Sequence, residues 1–228
     1  MTMCSIKNIA QVCFFLLYTV LRGQDDLTGY LEPSIALNYD VAVNYSHNFK
    51  IAQRSYLYDQ NLEFRGRQLD VSHFSNLKIR DDQSIAFGVQ FRFRNLFESD
   101  KENELRLTQQ YNLKIRKNTV RFGNRFRSEQ RITSSLTTHR FRYRFAIDLP
   151  LNGEKLDIGE AYFVVSTESL MSIAKGKSPE YDQRLTSNIG WLISQIAKLQ
   201  IGFEYRAENY NNTTESVAFF RTALIFSI

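Results

Sequence analysis

Cysteine is nearly absent from this chain, because its 228 residues include only Cys4 and Cys13. Both lie in the first two dozen residues, and neither follows the apolar run there as a lipid-modified cysteine would. The rest of the chain has no thiol. Disulfides, thiolate metal sites and cysteine nucleophiles are therefore excluded from residues 24–228.

Long apolar runs are also scarce, and the one that exists lies near the N-terminus. Lys7 precedes an apolar stretch over residues 12–21, and Leu21-Arg22-Gly23 fits a cleavage site after Gly23. This pattern predicts a signal peptide over residues 1–23 and a mature domain over residues 24–228. The alternative is a membrane anchor, but the run has about half of the ~20 residues that a spanning helix needs.

Neither sign of charge dominates the mature chain. The full sequence has 29 Lys and Arg against 24 Asp and Glu, a net charge of +5. Removing Lys7 and Arg22 leaves 27 basic residues against 24 acids, an excess of +3. Such a near-neutral balance does not favour a nucleic-acid partner, and we expect none.

The pattern that fills the rest of the chain is alternation with a period of two, which is typical of strands with one apolar and one polar face. It is strictest over residues 84–95, where a helix would mix the two sets. The apolar set is Ile85, Phe87, Val89, Phe91 and Phe93, and the other is Ala86, Gly88, Gln90, Arg92 and Arg94.

Similar runs recur along the chain and predict about twelve strands between Leu27 and Ile228. The alternative is ten, because residues 46–67 alternate poorly. Short links are expected at residues 80–83 and 116–119 and longer ones at 97–103 and 168–183. No second domain is expected.

The strand pattern favours an all-β, single antiparallel up-and-down transmembrane β-barrel. The runs reach ten to twelve residues, whereas membrane strands need about nine to eleven and soluble strands are commonly about five or six. In a bilayer an all-strand chain must close on itself, with apolar faces toward lipid. A soluble exported β-sandwich is the alternative, and it would be preferred if the phenylalanine faces packed on each other.

The C-terminal run adds a location signal. Phe220, Leu224, Phe226 and Ile228 share one face. This resembles the terminal strand that barrel-assembly machinery recognises, although most such strands end in Phe or Tyr. We expect that machinery and outer-membrane lipid as partners.

The most specific motifs of the chain are Arg125-Phe-Arg-Ser-Glu-Gln-Arg131, Arg140-Phe-Arg-Tyr-Arg144, Glu160, Tyr181-Asp-Gln-Arg184 and Asn188-Ile-Gly190. With these motifs the chain resembles a family of small outer-membrane barrels from Bacteroidetes-type bacteria whose function is unknown. The resemblance implies a barrel in the outer membrane of a Gram-negative bacterium and no particular activity.

The polar faces bring arginines and carboxylates together in the predicted lumen, with arginine in excess. One interpretation is structural, because ion pairs let the charged side chains in a narrow polar interior satisfy one another's hydrogen bonds and charges. The other is an anion-attracting pore, since guanidinium groups pair with phosphate or carboxylate oxygens and a small anionic solute could pass. The predicted lumen set is Glu104, Arg106, Arg121, Arg125, Arg127, Glu129, Arg131, Arg140, Arg142, Arg144, Asp148, Glu160, Arg184, Glu204 and Arg206.

A lipid-modifying barrel enzyme, an acyl hydrolase or transferase, is the alternative function. His47, His73 and His139 are the only histidines. Ser75 shares a strand face with His73, and Ser134 and Ser135 lie near His139, but adjacent serines on strands are common by chance. We therefore expect no enzyme, no catalytic residues, no metal and no cofactor.

Overall fold

The computed structural model describes residues 27–228, so the predicted signal peptide and both cysteines lie outside the described residues. No helix within residues 27–228 is long and apolar enough to cross a membrane. The strands are β1 (Leu27–Ala42), β2 (Tyr45–Asp59), β3 (Asn61–Arg80), β4 (Gln83–Phe93), β5 (Glu104–Lys117), β6 (Val120–Ile132), β7 (Thr137–Pro150), β8 (Ala161–Ala174), β9 (Glu180–Leu192), β10 (Ala197–Glu208) and β11 (Glu215–Ser227).

These eleven strands form one closed barrel in chain order. Successive strands are antiparallel, and β1 pairs with β11 in parallel from Leu27↔Ser216 to Asn38↔Ser227. The parallel seam follows from the odd strand number, because the first and last strands of an odd meander run the same way. The all-β barrel is confirmed, whereas the count of about twelve strands is one too high and ten is one too low. A sandwich of two sheets is not what the described residues form.

The error in strand number arises in β2 and β3. Their pairing shifts register between Arg54 and Ser55 and again between Tyr56 and Tyr58. A bulge changes which residue parity faces outward, so Phe64 is exposed on an even position while Val71, on the other side of the first bulge, is exposed on an odd one. One strand of 20 residues therefore reads as two short, poorly alternating ones.

The predicted long link over residues 168–183 is also wrong. Strand β8 continues to Ala174 and β9 begins at Glu180, so the link covers residues 175–179. The inward positions of β8 carry Ser166, Leu170 and Ser172 around Glu168, and this mixture hides the alternation. Turns at residues 81–82 and 118–119 agree with the predicted short links.

The barrel has two mouths that differ in their links. At the mouth where β1 begins, called here the N-terminal mouth, lie the links at residues 60, 94–103, 133–136, 175–179 and 209–214. At the opposite C-terminal mouth, where β11 ends, lie the links at residues 43–44, 81–82, 118–119, 151–160 and 193–196.

The distribution of side chains is inverted relative to a water-soluble protein. Phe87 and Phe91 are each 51% exposed on the outer wall, whereas Glu129 is 2% and Arg184 is 7% exposed inside. Large apolar side chains facing outward along every strand match a wall in contact with lipid, since lipid imposes no cost on them and water would.

One apolar cluster lies inside the barrel near the parallel seam. Tyr30, Tyr56, Val217 and Phe219 are buried together. The guanidinium carbon of Arg206 lies 3.9 Å from the centroid of the Phe219 ring, a cation–π distance. This cluster fills part of the lumen next to the charged groups.

Candidate functional site

Ion pairs inside the barrel connect side chains from all eleven strands into one continuous series, which we call the ion-pair ring. In spatial order it consists of Asp70, Arg92, Glu104, Arg106, Glu129, Arg142, Glu168, Arg184, Glu208, Arg206, Glu204, Arg221, Glu32 and Arg54. Alternation places each of these side chains on the inward face of its strand.

The ring contains both tight and looser contacts. Arg142 donates to Glu168 at 2.7 Å and lies 3.3 Å from Glu129. Arg54 lies 2.6 Å from Glu32. Others are longer, as between Arg106 and Glu129 at 3.7 Å. Most of these carboxylates lie within 4.0 Å of more than one guanidinium group. The ring is therefore a network and not a set of isolated pairs.

The ring is electrically balanced, with seven arginines and seven carboxylates among the residues just named. Several of these carboxylates were not in the predicted lumen set. Asp70 and Glu208 occupy inward positions that the alternation already marks, and so could have been found. Glu168 was missed because the sequence predicted a link over residues 168–183, and Glu32 was missed although it lies on the inward face of β1.

Two predicted lumen residues lie elsewhere. Glu160 is in the link between β7 and β8, where its carboxylate accepts a hydrogen bond from the backbone N–H of Asp157 at 3.0 Å. The lumen position expected for Glu160 is therefore wrong. Arg121 pairs with Asp148 at the rim of the C-terminal mouth, and its side chain is 53% exposed.

The remaining predicted arginines divide into paired and unpaired groups. Arg131 and Arg140 lie near the ring, where Arg131 is 2.8 Å from Glu104 and Arg140 is 3.7 Å from Asp182. Arg125, Arg127 and Arg144, in contrast, have no carboxylate oxygen within 4.0 Å among residues 27–228. These three form the unpaired group.

The unpaired group faces a cavity of about 750 Å³ that opens at the C-terminal mouth, called here the C-terminal vestibule. Arg127 donates to the side-chain oxygen of Gln110 at 3.0 and 2.6 Å. Arg125 donates to Asn112 at 3.3 Å. These acceptors are neutral amides, so they hold the guanidinium groups in place without cancelling their charge.

The vestibule lining is strongly positive. Ten cationic side chains line it against three carboxylates. The cations are Lys50, Lys78, Lys114, Arg125, Arg127, Arg142, Arg144, Arg184, Arg206 and Arg221, and the carboxylates are Asp40, Glu168 and Glu204.

A second cavity of about 670 Å³ opens at the N-terminal mouth. Its lining shares Arg142, Arg184 and Arg206 with the vestibule, so the two cavities meet at the ion-pair ring. Arg106 and Arg184 each keep one buried N–H group without a hydrogen-bond acceptor among the described residues. The lumen thus consists of two chambers, each large enough to hold many water molecules, on either side of the ion-pair ring.

At the N-terminal mouth, the link over residues 94–103 is tied to neighbouring links. Glu102 accepts hydrogen bonds from the side chain of Ser134 and from the hydroxyl and backbone N–H of Ser135, at 2.8 and 3.2 Å for the latter two. The hydrogen bond from Ser134, with those from the other link residues, lowers the pKa of Glu102 to about 2. The carboxylate therefore stays charged and binds the link over residues 94–103 to the link over residues 133–136.

Residues 33–217 match the family model described as "Protein of unknown function (DUF2490)". The chain belongs to this family. The unknown-function label expected from the sequence is thereby confirmed, and DUF2490 membership gives no activity. No curated protein matches the chain.

Two solved structures are similar to this DUF2490 chain. One is OmpT, an outer membrane protein of Vibrio cholerae in a trimer form, with 9% identity, a TM-score of 0.42, and coverage of 72% of this chain and 54% of OmpT. The other is the siderophore receptor PirA from Pseudomonas aeruginosa, with 16% identity, a TM-score of 0.34, and coverage of 76% and 34%. The chain thus spans about half of OmpT and a third of PirA. With TM-scores below 0.5, both likenesses are too weak to support an inference about activity.

Proposed function

We propose that this chain is an outer-membrane barrel of a Gram-negative bacterium that admits small anionic solutes through its C-terminal vestibule. The observation that carries the proposal is the unpaired group of Arg125, Arg127 and Arg144. Three guanidinium groups that face a cavity of about 750 Å³ without carboxylate partners attract anions, and each can offer two parallel N–H donors.

The ion-pair ring does not explain these three arginines. A polar interior needs charges of both signs that compensate one another. The ring achieves this compensation with equal numbers of arginines and carboxylates. Unpaired cations close together repel one another and lower the stability of the barrel, so their presence favours a role toward a ligand.

The route past the ring also suits anions. Arg142, Arg184 and Arg206 line both cavities, so guanidinium groups continue from the vestibule to the N-terminal cavity. A small phosphate or carboxylate can exchange between such groups, which provide several weak sites instead of one strong trap. Conduction requires sites of this kind, because an ion must leave as readily as it enters.

The membrane location is supported by the outer wall. Phe220 on the last strand is 54% exposed and Ile228, just after that strand, is 57% exposed, both on the face predicted for recognition by assembly machinery. The apolar exterior fits outer-membrane lipid as the surrounding medium. Export by the signal peptide over residues 1–23, and the bacterial group, stay predictions.

Reversal-potential measurements in planar bilayers under a KCl gradient test the proposal. Wild-type protein is expected to conduct with a preference for Cl⁻ over K⁺. Replacing Arg125, Arg127 and Arg144 together by Gln should shift the reversal potential toward the value expected for a K⁺-selective pore. The matched control removes three exposed charges from strand ends at the same mouth by changing Arg80, Arg116 and Lys117 to Gln.

The control should shift the reversal potential much less, because exposed charges are screened within about 10 Å at 0.1 M salt. A wild-type barrel that prefers K⁺, or that never conducts after verified insertion, would contradict the proposal. Equal shifts in the two triple variants would also contradict it, since selectivity would then come from the rim.

A further inference from the structure

Two arginines of the unpaired group lie directly opposite each other on neighbouring strands. Arg125 on β6 is the register partner of Arg144 on β7, and both line the C-terminal vestibule. Side chains in such a pair begin about 5 Å apart, and like charges placed there repel each other. Glu168, the register partner of Arg144 on the other side, is engaged by Arg142 at 2.7 Å. An anion that bridges the two guanidinium groups would therefore relieve their repulsion.

Most N–H donors of this arginine pair are available to such an anion. Nε of Arg125 donates to Oδ1 of Asn112 at 3.3 Å, and Nδ2 of Asn112 donates to the hydroxyl oxygen of Ser84 at 3.1 Å. The terminal nitrogens of Arg125 and the whole guanidinium group of Arg144 make no hydrogen bond within residues 27–228. A phosphate monoester has three terminal oxygens and can accept paired N–H donors from both arginines, whereas a chloride ion offers no such fork.

A wall of neutral polar side chains continues from the arginine pair across strands β5 to β1. Asn112 belongs to both parts, because it holds Arg125 and also lines the vestibule. Lys78, Lys114 and Asp40 border this neutral wall toward the mouth. The amides and hydroxyls of the wall are Asn38, Ser46, Asn48, Asn76, Ser84 and Asn112. The vestibule thus has a cationic part and a neutral hydrogen-bonding part side by side.

The middle of the neutral wall is open to a ligand. Ser46 on β2 and Asn76 on β3 are register partners that line the vestibule. Neither side chain makes a hydrogen bond to another group in residues 27–228. Amide and hydroxyl groups both donate and accept hydrogen bonds, as the hydroxyls of a sugar do. Sugar hydroxyls can therefore replace the water on these groups without a loss of hydrogen bonds, whereas an inorganic anion cannot donate in the same way.

The two parts of the vestibule lie within reach of one small molecule. Three strand spacings of about 4.8 Å give ~14 Å across the strands between Arg125 and Asn76. Both side chains extend inward from a curved wall, so their polar groups lie closer together than their backbones. The cavity of about 750 Å³ is within the size range of small-molecule sites. A phosphate on the arginine pair would leave the rest of a sugar phosphate beside Asn112 and Ser84, with Asn76 at its far end.

We propose that the solute admitted by the vestibule is a phosphorylated sugar. Its phosphate binds the pair of Arg125 and Arg144, and its hydroxyls bind the neutral wall through Ser84, Ser46 and Asn76. This assignment rests on the proposed anion permeability and names its solute class. The phosphate supplies the charge that draws the solute in, and the hydroxyls distinguish it from inorganic anions of the same charge.

Isothermal titration calorimetry on the folded, detergent-solubilised chain tests the proposal with glucose 6-phosphate, inorganic phosphate and glucose as probes. Glucose 6-phosphate should bind at least about 10-fold more tightly than inorganic phosphate, which is the gain expected from two additional hydrogen bonds of average strength. Glucose should show no measurable binding at the same concentrations, because it lacks the group that the arginines bind.

Two sets of variants separate the arginine pair from the neutral wall. Replacing Arg125 and Arg144 together by Gln should weaken the binding of both phosphate probes by about 10-fold or more. Replacing Ser46 and Asn76 together by Ala should lower the affinity for glucose 6-phosphate to that for inorganic phosphate and leave the latter unchanged. Gln53→Ala removes an exposed amide from the outer wall; it is the matched control and should change neither affinity.

Equal affinities of the wild-type chain for glucose 6-phosphate and inorganic phosphate would overturn the proposal. Wild-type affinity for glucose 6-phosphate in the variant with Ser46→Ala and Asn76→Ala, shown to be folded by heat-modifiable gel migration, would also overturn it. The reversal potential separates this result from the pore proposal. A barrel that prefers Cl⁻ over K⁺ but binds the two phosphates equally contradicts the sugar assignment alone, whereas a barrel that prefers K⁺ contradicts the anion permeability and the sugar assignment with it.

Discussion

Glu129 lies at the centre of the ion-pair ring, and its replacement by Gln tests how far the ring stabilises the barrel. Its carboxylate is 3.3 Å from Arg142, 3.7 Å from Arg106 and 3.9 Å from Arg131, and the residue is 2% exposed. The substitution keeps the volume and removes the charge. Three guanidinium groups then lose a shared partner.

Removing one partner of a buried ion pair costs about 3–5 kcal/mol, because the other charge stays buried without compensation. The two cavities beside the ring admit solvent, so we expect the lower end, about 3 kcal/mol, or roughly 100-fold in the unfolding equilibrium. The matched control is Glu63→Gln, since the pair of Glu63 with Arg65 is 40% and 45% exposed. That change should cost under about 1 kcal/mol.

Urea unfolding in lipid vesicles, followed by fluorescence of the single tryptophan, Trp191, measures both variants. Adding Arg106→Gln to Glu129→Gln should cost less than the sum of the single changes, with a coupling of about 0.5–3 kcal/mol. A Glu129→Gln cost within error of the Glu63→Gln cost would refute the ring as a stabilising network.

Three further predictions concern the wall, the packing and the mouth. Phe87→Arg should destabilise the barrel in vesicles by about 2–4 kcal/mol, while Val43→Arg at a turn should change the free energy of unfolding by less than about 1 kcal/mol. Gly190→Ala should lower stability by about 1–3 kcal/mol, because the added Cβ would lie 2.3 Å from the ring of Tyr162; the urea midpoint measures this. Because the folded-state pKa of Glu102 is about 2 against an ordinary 4.5, its link contact is present above pH 4.5 and is lost as the pH falls toward 2. Hydrogen-exchange protection in the link over residues 94–103, corrected for the pH dependence of the intrinsic exchange rate, should fall across that window, and Glu102→Gln should show the weaker protection already at pH 6.

Much of the barrel could be predicted from alternation, because a wall between lipid and lumen forces one parity outward wherever strands are regular. Strand β4 shows this, with Phe87 and Phe91 outside and Arg92 inside. The alternation fails where a bulge inserts a residue, as at Arg67 opposite Arg54 and Ser55, and where an inward face mixes residue types, as around Glu168. Strand number was therefore less predictable than fold.

The candidate sites were less accessible to sequence reasoning. Alternation shows that Arg125 and Arg144 face inward but not whether a carboxylate lies near them, because that depends on side chains from distant strands. The same limit hid the pairing of Ser46 with Asn76, which meet only through the register of β2 with β3. Cross-strand register is set by turns and bulges, and these are the least regular parts of the pattern.

The central claim is that neighbouring residues of one strand face lipid and lumen water in turn. Single cysteines at Gln90 and Phe91, with Cys4 and Cys13 changed to Ser, test it most directly in vesicles containing the inserted barrel. A charged water-soluble thiol reagent should modify the cysteine at position 90, which lines both cavities, and a probe at position 91 should be quenched by lipid-phase quenchers. Rapid aqueous modification at position 91, with no quenching from lipid, would contradict the account.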